Sequence, residues 1–338
     1  MILPSPNGKR ALVLGVTGQD GSYLTEFLLE KGYEVHGMIR RSATGNTRNI
    51  EHLLHDETVF EKRMFVHRGD LADSTSLYRI INEVRPHELY NEADQDHVAW
   101  SFAMPGYSYD ITGAAVGRIL EIIRQTNPEI KFFQPGTSNM FGKPVEVPQK
   151  ETTPFNPQSP YACAKLLAFI LVRHYREAYN IFAANAIFYN HESPRRTEEY
   201  VTRKITKAVA KISAGLQDKL TLGDLNTKID WGYAKDYMEA AWNILQQPEP
   251  DDFIICTGEP HSIRQFVDEA FSLVNLKADD YVTIDKALLR PTSTGLLVGD
   301  TQKAKEVFGF EPKVKLKDLV KIMVEADIEA LKPNENRG

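Results

Sequence analysis

The chain has 338 residues, enough for one large α/β domain with an appended lobe, or for two domains. A formal net charge of −6 on an ordinary globular composition argues against a general nucleic-acid binder. Cys163 and Cys256 are too few for a disulfide framework and lack metal-ligand spacing, so no metal is expected. Met1 to Arg10 holds no apolar signal core and no stretch reaches a membrane span, so the expected location is cytoplasmic, with no membrane partner.

Ala11 to Leu14 is a short apolar run that breaks into Gly15, Gly18 and Gly21, after which Tyr23, Leu24, Phe27 and Leu28 recur with helical spacing. The pattern predicts strand, tight glycine turn and helix, with Gln19 and Asp20 at the helix start. Such glycines admit a pyrophosphate against the backbone, where the free N–H groups and dipole of the helix N-terminus favour it. A second strand, Glu34 to Ile39, runs into Arg40 and Arg41. At that position an acidic residue suits a free ribose 2′-hydroxyl, whereas arginine suits a 2′-phosphate, so NADP is favoured over NAD.

Further strands are expected at Met64 to Val66, Glu88 to Tyr90 and Lys131 to Gln134, with a helix from about Ile111 to Thr126. Asp70 and Leu71 follow the first of these strands, and Asp70 is placed to accept from an adenine amino group. The alternation implies a doubly wound parallel α/β sheet of Rossmann type, whose ligands lie at the carboxyl ends of the strands. Phe253 to Cys256 reads as a buried strand rejoining that sheet. The expected division is residues 1–189 plus about 230–285 as cofactor domain, with about 190–229 and 286–338 as a smaller substrate lobe.

Tyr161 and Lys165 stand four residues apart, on one helix face. An ammonium beside a phenol favours phenolate, so Tyr161 is expected to act as a base near neutral pH and not near its ordinary value of about 10. Thr137, Ser138 and Asn139 form a turn at the end of the fifth strand, and all three join the candidate site.

With these motifs in place, the chain resembles the extended short-chain dehydrogenase/reductases, and within them the GDP-mannose 4,6-dehydratase family. The matching segments are 15–24, 26–41, 148–155, 159–165, 190–196, 201–205 and 230–232. The resemblance implies that Tyr161 takes the C4 hydroxyl proton of a GDP-hexose while Lys165 orients the nicotinamide ribose and Thr137 or Ser138 bonds the C4 oxygen. It carries substrate-binding roles onto Asn190, Arg195, Val201, Lys204 and Arg290; the family's arginine before Asp230 is Ile229 here, leaving Lys228 as the nearest cation. Relatives place the loop 40–49 at a subunit contact, which implies a homodimer or homotetramer.

Departures from the family pattern matter as much. The family's Thr-Ser-Glu turn is Thr137-Ser138-Asn139 here, and an amide cannot remove the C5 proton. Glu92, Asp94 and Asp96 occupy positions that are Leu, Ala and Ser in the family; Asp96 is the candidate replacement base, whereas Glu92 and Asp94 are expected to face solvent or pair with arginine. The first expectation is therefore C4 oxidation followed by altered chemistry such as C4 epimerisation. The second is 4,6-dehydration of GDP-mannose or a GDP-heptose through Asp96. A third is a non-catalytic sensor or assembly partner.

Overall fold

The computed structural model describes residues 6–43, 45–285, 287 and 294–332. Arg290 lies outside them, as does part of the segment expected to close the substrate lobe.

Seven strands form one parallel sheet: β1 Arg10–Leu14, β2 Glu34–Ile39, β3 Met64–Arg68, β4 Glu88–Asn91, β5 Lys131–Thr137 and β6 Ala183–Phe188, joined later in the chain by β10 Asp252–Ile255. Their order is β10-β6-β5-β4-β1-β2-β3. Apolar runs without alternation make these strands, because helices cover both sheet faces. On one face α1 Gln19–Glu30 lies with α9 Ala234–Leu245, burying Leu24, Leu28, Tyr237 and Met238. On the other, α3 Ser74–Val84, α6 Ala115–Thr126 and α7 Pro160–Tyr179 bury Leu77, Ile80, Ile119, Phe132 and Val172. The doubly wound α/β expectation is met, and Phe253 to Ile255 rejoins the sheet beside β6.

Chain order reverses between β1 and β4, so a crevice opens at their carboxyl ends. Gly15 ends β1 there with φ +78°, and a Cβ on it would lie 2.6 Å from the Glu92 carbonyl oxygen and 2.8 Å from the Ala93 nitrogen. The left-handed backbone and the missing side chain together let the turn after β1 close on the turn after β4.

A second core unites α8 Val201–Ser213, α10 Ile263–Ser272 and α12 Leu316–Leu331 around Trp231, Phe266, Phe271 and Met323. Two small sheets accompany it: β7 Asn190–Glu192, β9 Lys228–Tyr233 and β11 Pro260–Ser262 in one, β8 Leu220–Leu222 and β12 Val282–Ile284 in the other. This core redraws the expected division. Residues 263–285 were expected with the sheet, but Ile263, Phe266, Val267 and Phe271 bury themselves against α8 and α12. Conversely α11 Gln302–Phe308, expected in the lobe, packs Ala304 and Phe308 on the sheet's core. Amphipathic periodicity marks a buried face without naming the partner that covers it.

The helix expected from Ile111 also differs in detail. Tyr109–Ala114 forms a π-helical turn ahead of α6, and a Cβ on Gly113 would lie 3.1 Å from the Ala164 carbonyl oxygen of α7. The widened turn seats this segment directly on the helix that carries Tyr161 and Lys165.

Gly15→Ala should lower unfolding free energy by about 2–4 kcal/mol, because strain and a backbone clash coincide there. Chemical denaturation measures it, and an unchanged midpoint would contradict this packing.

Candidate active site

Local capping fixes the catalytic helix. Ser159 accepts a hydrogen bond from the Ala162 N–H at 3.1 Å, and Pro160 takes the first helical position, so Tyr161 stands in the opening turn of α7. Lys165 follows one turn later, and both side chains are buried, at 7% and 4% exposure. Thr137 ends β5 beside them; its Oγ1 accepts from the Asn139 backbone N at 3.3 Å and from the Asn139 Nδ2 at 3.1 Å. Ser138 is buried under the same turn. Thr137 and Asn139 at the end of β5 thus lie beside Tyr161 and Lys165 of α7.

Their electrostatics differ from expectation. Lys165 Nζ forms an ion pair with Asp94 Oδ2 at 2.6 Å and donates to the Pro135 carbonyl at 2.9 Å, lying 5.8 Å from the Tyr161 ring centroid. Asp94 therefore neither faces solvent nor pairs with an arginine. The Tyr161 phenol was expected to be held down by Lys165. Instead burial pushes it well above its ordinary value, with Asp94 and Asp96 adding to the rise against Thr137 and Arg196. Glu92 is likewise enclosed; its Oε1 is buried without a hydrogen-bond partner. Burial and then Asp20 push its carboxyl well above the usual range, against the pull of Lys165.

Asp96 is the exposed member of the three. Its Oδ2 accepts from the Tyr200 hydroxyl at 2.8 Å and lies 3.7 Å from Arg196. Arg196 stacks over the Tyr200 ring at 3.4 Å and approaches Glu192 at 3.5 Å. Sequence reasoning nominated its neighbour instead. Arg195 turns away, pairing with Glu26, donating to Ser22 Oγ at 3.0 Å and covering the Tyr23 ring, so in this structure it braces α1. Both arginines lie in the turn that follows β7, where no strand alternation sets side-chain direction, so the sequence carried no signal that separates them.

The glycine turn makes a cradle. A Cβ on Gly21 would clash with the Gly15 carbonyl and on Gly18 would come within 3.3 Å of it, leaving bare backbone at the start of α1. Gln19 and Asp20 close this cradle toward the second lobe: Asp20 Oδ2 bonds His191 Nε2 at 2.9 Å and Ser193 donates to Gln19 Oε1 at 2.7 Å. Further along, a cavity of about 580 Å³ is lined by Arg40, Arg41, Arg68, Asp70, Ser76 and Arg79 among others. Arg40 donates to the Tyr107 hydroxyl at 3.0 Å; Asp70 Oδ1 accepts from the Ala72 N–H at 2.9 Å; the Leu71 carbonyl accepts from Arg118.

Nominated substrate residues lie on the second lobe. Asn190 pairs in register with Trp231, Val201 opens α8 and Lys204 is exposed on its first turns. Lys228 is exposed at the start of β9, opposite Ser262, while Ile229 packs into the lobe's core. Among the described residues no helix is long and apolar enough to cross a membrane.

A glycine cradle at the switch point of a doubly wound sheet, with Tyr161, Lys165 and Thr137 beside it, defines an enzyme of the short-chain dehydrogenase/reductase class that modifies nucleotide sugars. The chain belongs to the GDP-mannose 4,6-dehydratase family, whose model matches residues 12–323. It is 50% identical over 329 residues to GDP-mannose 4,6 dehydratase 1 of Arabidopsis thaliana, covering 96% of this chain and 91% of that protein. To human GDP-mannose 4,6 dehydratase it is 48% identical over 346 residues, covering 96% and 93% respectively. Among solved structures, UDP-glucose 4-epimerase of Thermus thermophilus in complex with NAD matches with TM-score 0.81 at 26% identity, over 95% of this chain and 100% of that one. The dTDP-glucose 4,6-dehydratase of Bacillus anthracis, in complex with NAD, shares the fold with TM-score 0.80 at 21% identity, over 94% and 96%.

The Asp20–His191 pair carries a pH signature. Burial opposes charge on both, yet Asp20 is held below its ordinary range by His191, and His191 is raised above 6.5 by Asp20. Asp20 therefore contributes stability that is lost as pH falls, and His191 stability that is lost as pH rises through its raised value. The pair is worth most in the weakly acidic window between them. Between about pH 6 and pH 9, His191→Gln should remove about 2 °C or more of the fall in melting temperature shown by the wild type. Parallel falls in the two proteins would contradict the pairing.

Proposed function

We propose that this protein is an NADP-dependent sugar-nucleotide 4,6-dehydratase acting on GDP-mannose or a closely related GDP-sugar. The observation that carries this reading is the near-complete likeness to proteins named GDP-mannose 4,6-dehydratase, at 48–50% identity, together with an intact Tyr161, Lys165 and Thr137 cluster. That likeness supports dehydration over the epimerisation suggested by Asn139.

The glycine turn at Gly15, Gly18 and Gly21 fits a dinucleotide pyrophosphate, because its Cβ positions are filled by neighbouring backbone. A bound nicotinamide supplies hydride acceptance and return. Arg40 and Arg41, with Arg68 and Arg79 around the same cavity, support a 2′-phosphate, hence NADP. Asp70 lines the same cavity and would accept from an adenine amino group.

Tyr161 takes the C4 hydroxyl proton of the hexose, and Thr137 hydrogen-bonds the same oxygen. With the C4 hydride accepted by the nicotinamide, the C4 ketone left behind would acidify the C5 proton. Asp96 would remove that proton and protonate the C6 hydroxyl, which leaves as water, with hydride return at C6 and a solvent-derived proton at C5 completing the 6-deoxy-4-keto sugar, since Asn139 has no acid or base function. Support for Asp96 comes from its place between Tyr200 and Arg196 and from its influence on the Tyr161 phenol. Asn190, Val201, Lys204 and Lys228, with Arg290 beyond the described residues, would hold the GDP moiety. Arg196 is the added cation at that end, suited to a diphosphate. The expected setting is cytoplasmic, as a homodimer or homotetramer.

A second reading, C4 epimerisation, is favoured only by Asn139, because hydride return at C4 needs no base at that position. Turnover of GDP-mannose in deuterated water separates the two: dehydration places deuterium at C5 of a 6-deoxy-4-keto product, and epimerisation leaves C5 unlabelled. Asp96→Asn should slow dehydration by about 10²-fold or more while C4 oxidation persists. An unlabelled C4 epimer would overturn the dehydratase reading.

For the cofactor, Arg41→Glu should weaken NADPH binding about 10-fold or more relative to NADH, through loss of a charge-assisted contact. Isothermal titration of both dinucleotides reads it, and an unchanged ratio would show that Arg41 does not meet a 2′-phosphate.

A further inference from the structure

We propose that Asp94 is a positioning residue that captures the Lys165 ammonium and so keeps the Tyr161 phenol protonated toward a more alkaline range than a Tyr–Lys pair without that carboxylate. The inference deepens the proposed function and rests on its assignment of Tyr161 and Lys165.

Geometry carries it. The 2.6 Å ion pair joins two enclosed side chains, Lys165 at 5% and Asp94 at 14% side-chain exposure. Lys165 Nζ also donates to the Pro135 carbonyl, so α7, β5 and, through the ion pair, the turn after β4 all fix this ammonium. Asp94 itself is pinned on both sides. The backbone of Glu92 and Ala93 lies against Gly15, and Gln95 N–H donates to Thr112 Oγ1 at 3.1 Å. The Gln95 side chain is held in turn, accepting from Ser108 Oγ at 2.9 Å and donating to the His97 carbonyl at 3.0 Å. No loop motion is needed for the pair to form; the register of the turn delivers the carboxylate to the lysine.

The surrounding groups act in both senses, the carboxylates raising the phenol against Thr137 and Arg196. Tyr161 faces Asp94 and Asp96 from the turn after β4, Arg196 and Tyr200 from the segment before α8, Thr137 from β5, and Lys165 on its own helix. Asp94 faces Lys165, Asp96 and Asp20, and Glu92 faces Asp20, Lys165 and Asp94. A cation contributes to a nearby phenolate only as far as its field is uncancelled, and a carboxylate in contact cancels most of it beyond a few ångströms. Burial pushes the Asp94 carboxyl itself up while Lys165 holds it down.

The experiment reads Tyr161 ionisation directly, without turnover, from near-ultraviolet phenolate absorbance of each protein minus that of the same protein carrying Tyr161→Phe. Asp94→Asn, with Asp94→Ala as a second variant should the first fold poorly, should lower the Tyr161 midpoint by about one unit or more, a tenfold rise in its ionisation constant. In a Lys165→Met background the same substitution should move the midpoint much less. An unchanged midpoint on removing Asp94, or an equal shift with and without Lys165, would overturn the proposal. Because no sugar nucleotide is consumed, either outcome stands apart from success or failure of the dehydratase reading.

Discussion

Lys165 is the point on which the catalytic end of this molecule is built. Its ammonium is tied to the carbonyl of Pro135 in β5 and to the carboxylate of Asp94 after β4, while its backbone belongs to α7. A buried ammonium costs several kcal/mol unless it is paired and hydrogen-bonded, so the three elements are held to one arrangement by the need to satisfy it. Tyr161 and Thr137 inherit their positions from the same arrangement. The crevice beside them exists because β1 and β4 part at the sheet's switch point, and Gly15 lets the two departing turns touch.

Carboxylates concentrate at this end of the molecule. Glu92, Asp94, Asp96 and Asp20 surround a site whose cations, within the described residues, are chiefly Lys165, Arg196 and His191. Three of these carboxylates have different partners, so the local excess of negative charge is divided among distinct tasks. Asp20 is satisfied by His191, Asp94 by Lys165 and Asp96 by Tyr200 and Arg196, whereas Glu92 is left to burial. A site so arranged withholds phenolate until charge is rearranged, a constraint on timing more than on the identity of the chemistry.

Much of this was legible in the sequence because local pattern dictates it. Apolar runs ending in glycine or arginine gave the strands, the turn at Gly15 and the basic cavity; four-residue spacing gave the Tyr161–Lys165 pair. What failed to be legible depends on contacts between distant segments. Phe266 and Phe271 join the lobe's core through the packing of α10 with α8 and α12, and no local pattern shows to which core they belong. Arg195 and Arg196 are chemically alike, and the direction in which the chain leaves β7 separates a brace on α1 from a cation at the site. Asp94 stands seventy-one positions before Lys165 in the chain, and no spacing rule joins residues so far apart.

Rapid mixing of the NADP-loaded protein with GDP-mannose reads whether Tyr161 begins the chemistry by taking the C4 hydroxyl proton. A transient near-ultraviolet absorbance of reduced nicotinamide is expected, abolished by Tyr161→Phe with sugar binding retained. Absence of that transient in the wild type, or its persistence at full amplitude in Tyr161→Phe, would contradict that role for Tyr161.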